Sequence, residues 1–221
     1  MPIHAVIFDR DGVLSHFDMR AIGDFILPIV PLSLDALWQH WFNWVTRIGP
    51  PDSIEVEDQY WRAFWDWLTD ELALNRAVRA QLYRFRYLDY IRPYADSRPA
   101  LLTAKDCGLQ VAVLSNFALL SLEQSLDRIG LADLVDLAVS ATAIGVEKPD
   151  PAAFLAVTNA LNVAPAECLL FDDEPPNVVA ARQLGMTAYL VDRAAALHGP
   201  GTVVDLSGLA DLLQLANRPP V

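Results

Sequence analysis

From about residue 94 onward, short apolar runs alternate with helical patterns, and this alternation constrains the fold more than any other feature of the chain. The runs at 109–116, 134–140, 167–173 and 187–192 read as strands. Those at 117–130, 150–162, 175–186 and 205–217 carry helical periodicity. The 150–162 helix has a proline near its start. The 175–186 helix is opened by prolines and closed by Gly185. With a further strand pattern at 3–8 the count is about five strands, most followed by a helix. That order predicts an α/β fold, a Rossmann-like doubly wound parallel sheet.

One segment breaks the alternation. Residues 15–92 read as mostly helical and hold all six tryptophans of the chain. Trp38, Trp41 and Trp44 recur every three residues. Trp61, Phe64, Trp65 and Leu68 recur at 3/4 spacing, so each group forms the apolar stripe of a helix. The turn signal "GPPD" at 49–52 separates the two. The expectation is a subdomain of about four helices inserted between the first strand and the rest of the sheet. Residues 1–14 and 93–221 then form the α/β core. The tryptophans are expected mainly to fill the insertion's core, with some rings open to line a pocket or a dimer contact. The basic, aromatic run 75–94 reads as a solvated helix face.

Composition narrows the class. At 221 residues and 53% hydrophobic, the chain can bury a substantial core. A net charge of -12 argues against general binding to nucleic acid or to an anionic membrane. The apolar stretch near the N-terminus is interrupted by Asp24, Pro28, Pro31 and Asp35, so no membrane span is expected. The chain opens directly into a strand pattern, without a signal-peptide pattern. Cys107 and Cys168 lack metal-ligand spacing and read as reduced, buried residues of a cytoplasmic protein. Nothing in the pattern chooses between a monomer and a homodimer.

In an open parallel sheet, ligands bind beyond the carboxyl ends of the strands. Four segments deliver polar groups there. The first strand ends in Asp9, Arg10, Asp11 and Gly12, and the 109–116 strand in Ser115 and Asn116. The loop after 134–140 carries Glu147, Lys148 and Asp150. The 167–173 strand ends in Asp172, Asp173 and Glu174, with Asn177 beyond. Lys148 is one of only two lysines, against fourteen arginines. A compact ammonium at that place suits a phosphate or a carboxylate nucleophile.

These clusters, in this order, resemble the four motifs of the haloacid dehalogenase superfamily of phosphotransferases. The helical insertion matches the position of that family's helical cap. The resemblance implies Asp9 as the nucleophile that forms an aspartyl-phosphate, and Asp11 as the acid and base that serves the leaving oxygen and then water. It implies Mg²⁺ held by Asp9, the Asp11 backbone carbonyl and Asp173. Ser115 and Lys148 would hold phosphoryl oxygens. Asn116 would hold its loop or reach the substrate, and Gly12 would allow close backbone approach. Asp172 and Asn177 would stand behind these groups, with Asp172 orienting a metal ligand or Lys148.

Each cluster alone has a plainer reading. Asp9 and Asp11 could form a turn with Arg10 as local partner. Ser115-Asn116 could cap a helix. Lys148 could be a surface lysine, and Asp172-Asp173 could cap the helix opened by Pro175. Jointly these require four coincidences. Magnitude also favours a distributed site. Monoester hydrolysis can need up to ~10²¹-fold acceleration, of which acid–base catalysis supplies roughly 10²–10⁴.

The implied function is a Mg²⁺-dependent phosphatase acting on a small phosphorylated metabolite, a sugar phosphate or similar monoester. A sugar phosphomutase is the nearest rival and a haloacid dehalogenase a further one, disfavoured by the presence of Asp11. A non-catalytic metabolite-binding protein on the same fold is the alternative from another class. Arg10 departs from the commoner apolar residue and is expected to point away from the reacting phosphorus.

Overall fold

The structure, a computed structural model, describes residues 2–197 and 199–216. Its centre is a six-stranded, all-parallel sheet in the order β5-β4-β1-β6-β7-β8. The strands are β1 (Ala5–Phe8), β4 (Gln110–Ser115), β5 (Leu137–Ser140), β6 (Cys168–Asp172), β7 (Thr187–Val191) and β8 (Thr202–Val203). The helices between them are α5 (Ser97–Asp106), α6 (Leu122–Arg128), the short α7 (Ala141–Ile144), α8 (Pro151–Leu161) and α9 (Pro175–Gln183). The last helix, α10 (Leu209–Ala216), follows β8.

The apolar strand runs are continuous because both faces of the sheet are covered. Val6, Phe8, Val111, Val113, Leu169 and Phe171 pack on one face with residues of α5, α6 and α10. Ala5, Ile7, Ala112, Leu114 and Leu170 pack on the other with residues of α8 and α9. Successive side chains of a strand thus feed two separate cores, as the period of two requires.

The chain leaves β1 toward β4 and β5, and later leaves β6 in the opposite direction toward β7. The strand order therefore reverses between β1 and β6, which makes their carboxyl ends the switch point of the sheet. Asp9 follows β1 there, and Asp172 ends β6.

A second sheet, absent from the sequence reading, pairs β2 (Ser15–Phe17) antiparallel with β3 (Ile91–Pro93). Three residues per strand are too few to show alternation. This ribbon carries the chain out to four helices and back. They are α1 (Met19–Ile26), α2 (Leu34–Ile48), α3 (Glu57–Glu71) and α4 (Arg76–Leu82). Ser33 and Asn75 cap α2 and α4 by accepting from backbone N–H groups of the first turn.

The tryptophans serve two purposes. Trp44 is buried in the core of the helical insertion, whereas Trp38, Trp41, Trp61 and Trp65 also line pockets. Trp41 and Trp61 stack across α2 and α3, with ring centroids 4.2 Å apart and planes 10° from parallel.

Several boundaries shift from the sequence reading. The main sheet gains β8, whose two residues carry no readable period. The 117–130 helix begins only at Leu122, because residues 117–121 form a loop over the sheet end. The last helix begins at Leu209, and Asn217 lies outside the described residues. The 75–94 run is not one solvated face. Arg84 and Arg86 are exposed, while Tyr87 is buried and Phe85 packs into the aromatic cluster. Cys107 is exposed, not buried, because it caps the water-facing end of α5; Cys168 is buried in β6. Among the described residues, no helix is long and apolar enough to cross a membrane.

Candidate active site

The chain crosses from β1 into the site without losing the sheet ladder, since the Asp9 N–H donates to the Phe171 carbonyl at 2.8 Å. A tight turn follows, in which Leu14 and Ser15 N–H groups both donate to the Arg10 carbonyl. Gly12 sits in it at φ +76°, and a Cβ there would lie 2.0 Å from Oδ2 of Asp173. Only glycine lets this backbone approach that carboxylate.

Lys148 is 3% exposed, and its ammonium bridges two carboxylates. Nζ lies 3.0 Å from Asp9 Oδ1 and donates to Asp172 Oδ2 at 2.6 Å. The two neighbouring negative charges push the lysine's pKa up despite its burial. Asn116 sets the lysine's backbone. Its amide donates to the Lys148 carbonyl at 2.7 Å and its carbonyl accepts from the Lys148 N–H at 2.8 Å. Asn116 thus holds its neighbouring loop. The Lys148–Pro149 peptide is cis.

Asp172 is wholly buried, and both of its oxygens are engaged. Oδ2 takes the Lys148 ammonium. Oδ1 accepts from the Asn177 amide at 2.9 Å and from the Glu174 N–H at 3.0 Å. Asp173 beside it is exposed toward the cleft. Asp150 lies apart, accepting from the Ala152 N–H as the cap of α8.

Asp9, Asp172 and Asp173 each offer one oxygen within 4.8 Å of the others. Burial pushes the Asp9 pKa up to about 7; Lys148 opposes this, and the charges of Asp172 and Asp11 add to it. Asp173, though exposed at the residue level, is raised to about 6, first by the partial loss of water around its carboxyl in the cleft and then by the charge of Asp172. Three crowded carboxylates against one ammonium therefore lack positive charge. All are hard oxygen donors, and neither His nor Cys stands among them, so the set fits a divalent cation such as Mg²⁺ rather than zinc. Because Asp172 is already engaged, Asp9 and Asp173 are the side chains best placed to hold it.

Asp11 is turned to a different partner. Arg10 is fully buried and donates to Asp11 from Nη2 at 2.6 Å and from Nε at 3.2 Å. Arg10 also donates to Ser125 Oγ at 3.0 Å, and its guanidinium lies 3.8 Å from the centroid of Phe117. This is the physical reason the position is not apolar. The guanidinium anchors Asp11 to α6 and to the loop before it.

A cavity of about 480 Å³ opens over these groups. Asp9, Asp11, Ser115, Asn116, Lys148 and Asp173 all line it. Phe42, Val45 and Thr46 of α2 face them from the insertion. The sequence reading missed these three, since nothing local marks them as cleft residues. It also missed Glu57, whose carboxylate accepts from the Leu120 and Ser121 N–H groups at 3.1 Å each and from the Ser121 hydroxyl. The Tyr87 hydroxyl donates to the same Ser121 oxygen. Both residues belong to the insertion, and both grip the loop that follows β4.

The family model described as haloacid dehalogenase-like hydrolase matches residues 3–185, spanning every one of these segments. The chain belongs to that family. Within this family of hydrolases, the chain is 41% identical over 214 residues to a protein named phosphatase MT3486 from Mycobacterium tuberculosis, covering 96% of this chain and 98% of the relative. It is 27% identical to hexitol phosphatase B of Escherichia coli K12, covering 95% and 94%. Among solved structures, the defluorinating L-2-haloacid dehalogenase Rha0230 superposes with a TM-score of 0.69 at 21% identity, covering 96% of this chain and 95% of that one. At that identity the likeness speaks to the fold alone.

Proposed function

We propose that this haloacid dehalogenase-like hydrolase is a Mg²⁺-dependent phosphatase that cleaves a small phosphomonoester through an aspartyl-phosphate. The observation that carries the reading is Lys148 bridging Asp9 and Asp172 at the switch point, with Asp173 alongside. A carboxylate nucleophile, a fixed cation and an acidic metal pocket then converge on one place.

An oxygen of Asp9 attacks phosphorus, and the bond from phosphorus to the ester oxygen breaks. Asp11 gives that leaving oxygen its proton. Water then attacks the aspartyl-phosphate and passes a proton to Asp11, restoring both residues and releasing inorganic phosphate. Lys148 and Ser115 balance and hold the phosphoryl oxygens, while Asn116 fixes the lysine's loop. Asp172, itself held by Asn177, aims the ammonium. Bound Mg²⁺ would neutralise phosphoryl charge between Asp9 and Asp173, with the Asp11 carbonyl as a further oxygen ligand.

Asp11 is the residue that separates this reading from dehalogenation, which has no phosphate leaving oxygen to protonate. Residues 15–92 would act as the cap. The deciding experiment measures phosphate release from a metabolite panel with Mg²⁺ and with chelator. Release that requires Mg²⁺ and disappears in Asp9→Asn supports the mechanism; release unaffected by Asp9→Asn overturns it. Halide release from 2-chloropropionate, or isomerisation of a hexose phosphate, would identify the rival chemistries.

A further inference from the structure

A second cavity, of about 180 Å³, adjoins the catalytic cleft. The two share Asp11, Phe42, Asn116 and Ala118 in their walls. They abut at Asp11, the side where the proposed mechanism releases the leaving group. Beyond that junction the wall is aromatic and aliphatic, built from Phe17, Ile22, Trp38, Trp41, Trp61 and Phe117, among others.

Apart from the indole N–H groups, of which that of Trp61 is buried without a partner, the polar side chains of this wall already have partners. Asp11 is forked by Arg10, Asn116 is paired with the Lys148 backbone, and the Tyr87 hydroxyl is bonded to Ser121. A polyol seated here would bury several hydroxyls against ring faces, and each one left unpaired loses its hydrogen bonds to water without replacement. An apolar group would gain in proportion to the surface it removes from water. The cavity is also the right size for one ring, since a dry apolar cavity of roughly 150 Å³ holds benzene.

We infer that the organic part of the substrate is a single apolar group, an aromatic ring or a branched alkyl of similar size, joined to the phosphate by a short link. This rests on the phosphatase reading and departs from the sugar phosphate expected from sequence. Phe42, 61% exposed and shared by both cavities, would close over the link and favour such esters over polyol phosphates.

The test compares benzyl phosphate with hexitol 6-phosphate, both esters of primary alcohols, with p-nitrophenyl phosphate as a reactive reference. Benzyl phosphate is expected to show at least tenfold higher kcat/KM. Phe42→Ser, a change at an exposed position, should narrow that gap by raising KM for benzyl phosphate more than for hexitol 6-phosphate. Equal or better hydrolysis of hexitol 6-phosphate overturns the substrate class and leaves the phosphatase reading standing. If none of the three esters releases phosphate while the metabolite panel does, the substrate class is overturned and the phosphatase reading stands; release from neither sinks the phosphatase reading. Calorimetry on the whole protein then decides the pocket. Benzylphosphonate binding tenfold tighter than methylphosphonate supports the apolar site, and equal affinities overturn it.

Discussion

The guanidinium of Arg10 forks onto both oxygens of Asp11, with Arg10 fully buried and the Asp11 side chain 39% exposed. Breaking such a pair strands a charge, whereas removing both partners does not. Asp11→Ala should therefore lower the melting temperature. Arg10→Met in the same chain should recover part of the loss, giving a coupling of roughly 0.5–3 kcal/mol in a double-mutant cycle. Denaturant titrations of the four proteins measure it; additive effects would show that the fork contributes nothing.

Asp9 is expected to separate activity from stability. Asp9→Asn removes the nucleophile, and phosphate release should fall by at least about 10⁴-fold. The metal-free fold should not weaken, because Lys148 keeps Asp172 at 2.6 Å and the buried charge is gone. The pH dependence follows with a definite sign. The folded pKa of Asp9 is raised from 3.8 to about 7, so between those values the native state binds more protons than the unfolded chain. Stability in chelator should then decline as pH rises through that window. Melting curves between pH 4 and 8 should show the decline, flattened in Asp9→Asn and offset by added Mg²⁺.

Gly12→Ala should act on metal affinity more than on folding. The new Cβ would fall 2.0 Å from Asp173 Oδ2 at a backbone φ of +76°. The conformational strain is about 1–2 kcal/mol, and Asp173 must move away from Asp9. The Mg²⁺ concentration for half-maximal activity is expected to rise about 10–100-fold. Titrating Mg²⁺ at saturating substrate measures it, and an unchanged midpoint would show that the Asp173 carboxylate can yield to the new Cβ at no cost to metal binding.

Glu57 ties the helical insertion to the loop over the active site. It is 6% exposed, and burial raises its pKa despite the bonds from Leu120 and Ser121. Glu57→Ala would leave two backbone N–H groups without their acceptor, at a cost of roughly 1–3 kcal/mol. Hydrogen exchange at Leu120 and Ser121 should accelerate while the amides of β1 and β6 stay protected. Uniform acceleration across the sheet would instead mean that Glu57 supports the whole fold.

Much of this molecule is legible along the chain. The strand–helix alternation foretells a parallel sheet because each apolar run is too continuous for a one-sided strand. The acids after Phe8 and at the end of β6, with Ser115, stand at strand ends, where the topology must gather them, and Lys148 joins them from the loop between α7 and α8. Local pattern could not show the ribbon of Ser15–Phe17 with Ile91–Pro93, since three residues carry no period. Nor could it separate Trp44, filling a core, from Trp38, lining a pocket.

What the sequence by itself determined was the periodicity and order of its elements, and hence which polar residues meet at one sheet edge. The local pairing of Arg10 with Asp11 was among the sequence's own readings, but only the tertiary structure decided the distant partners. Arg10 found Ser125 and Phe117, and Glu57 found the loop before α6. Such pairings join residues up to 115 positions apart. They depend on how α6 and the helices of the insertion lie over the sheet, and packing geometry sets those angles where no local preference of the chain encodes them.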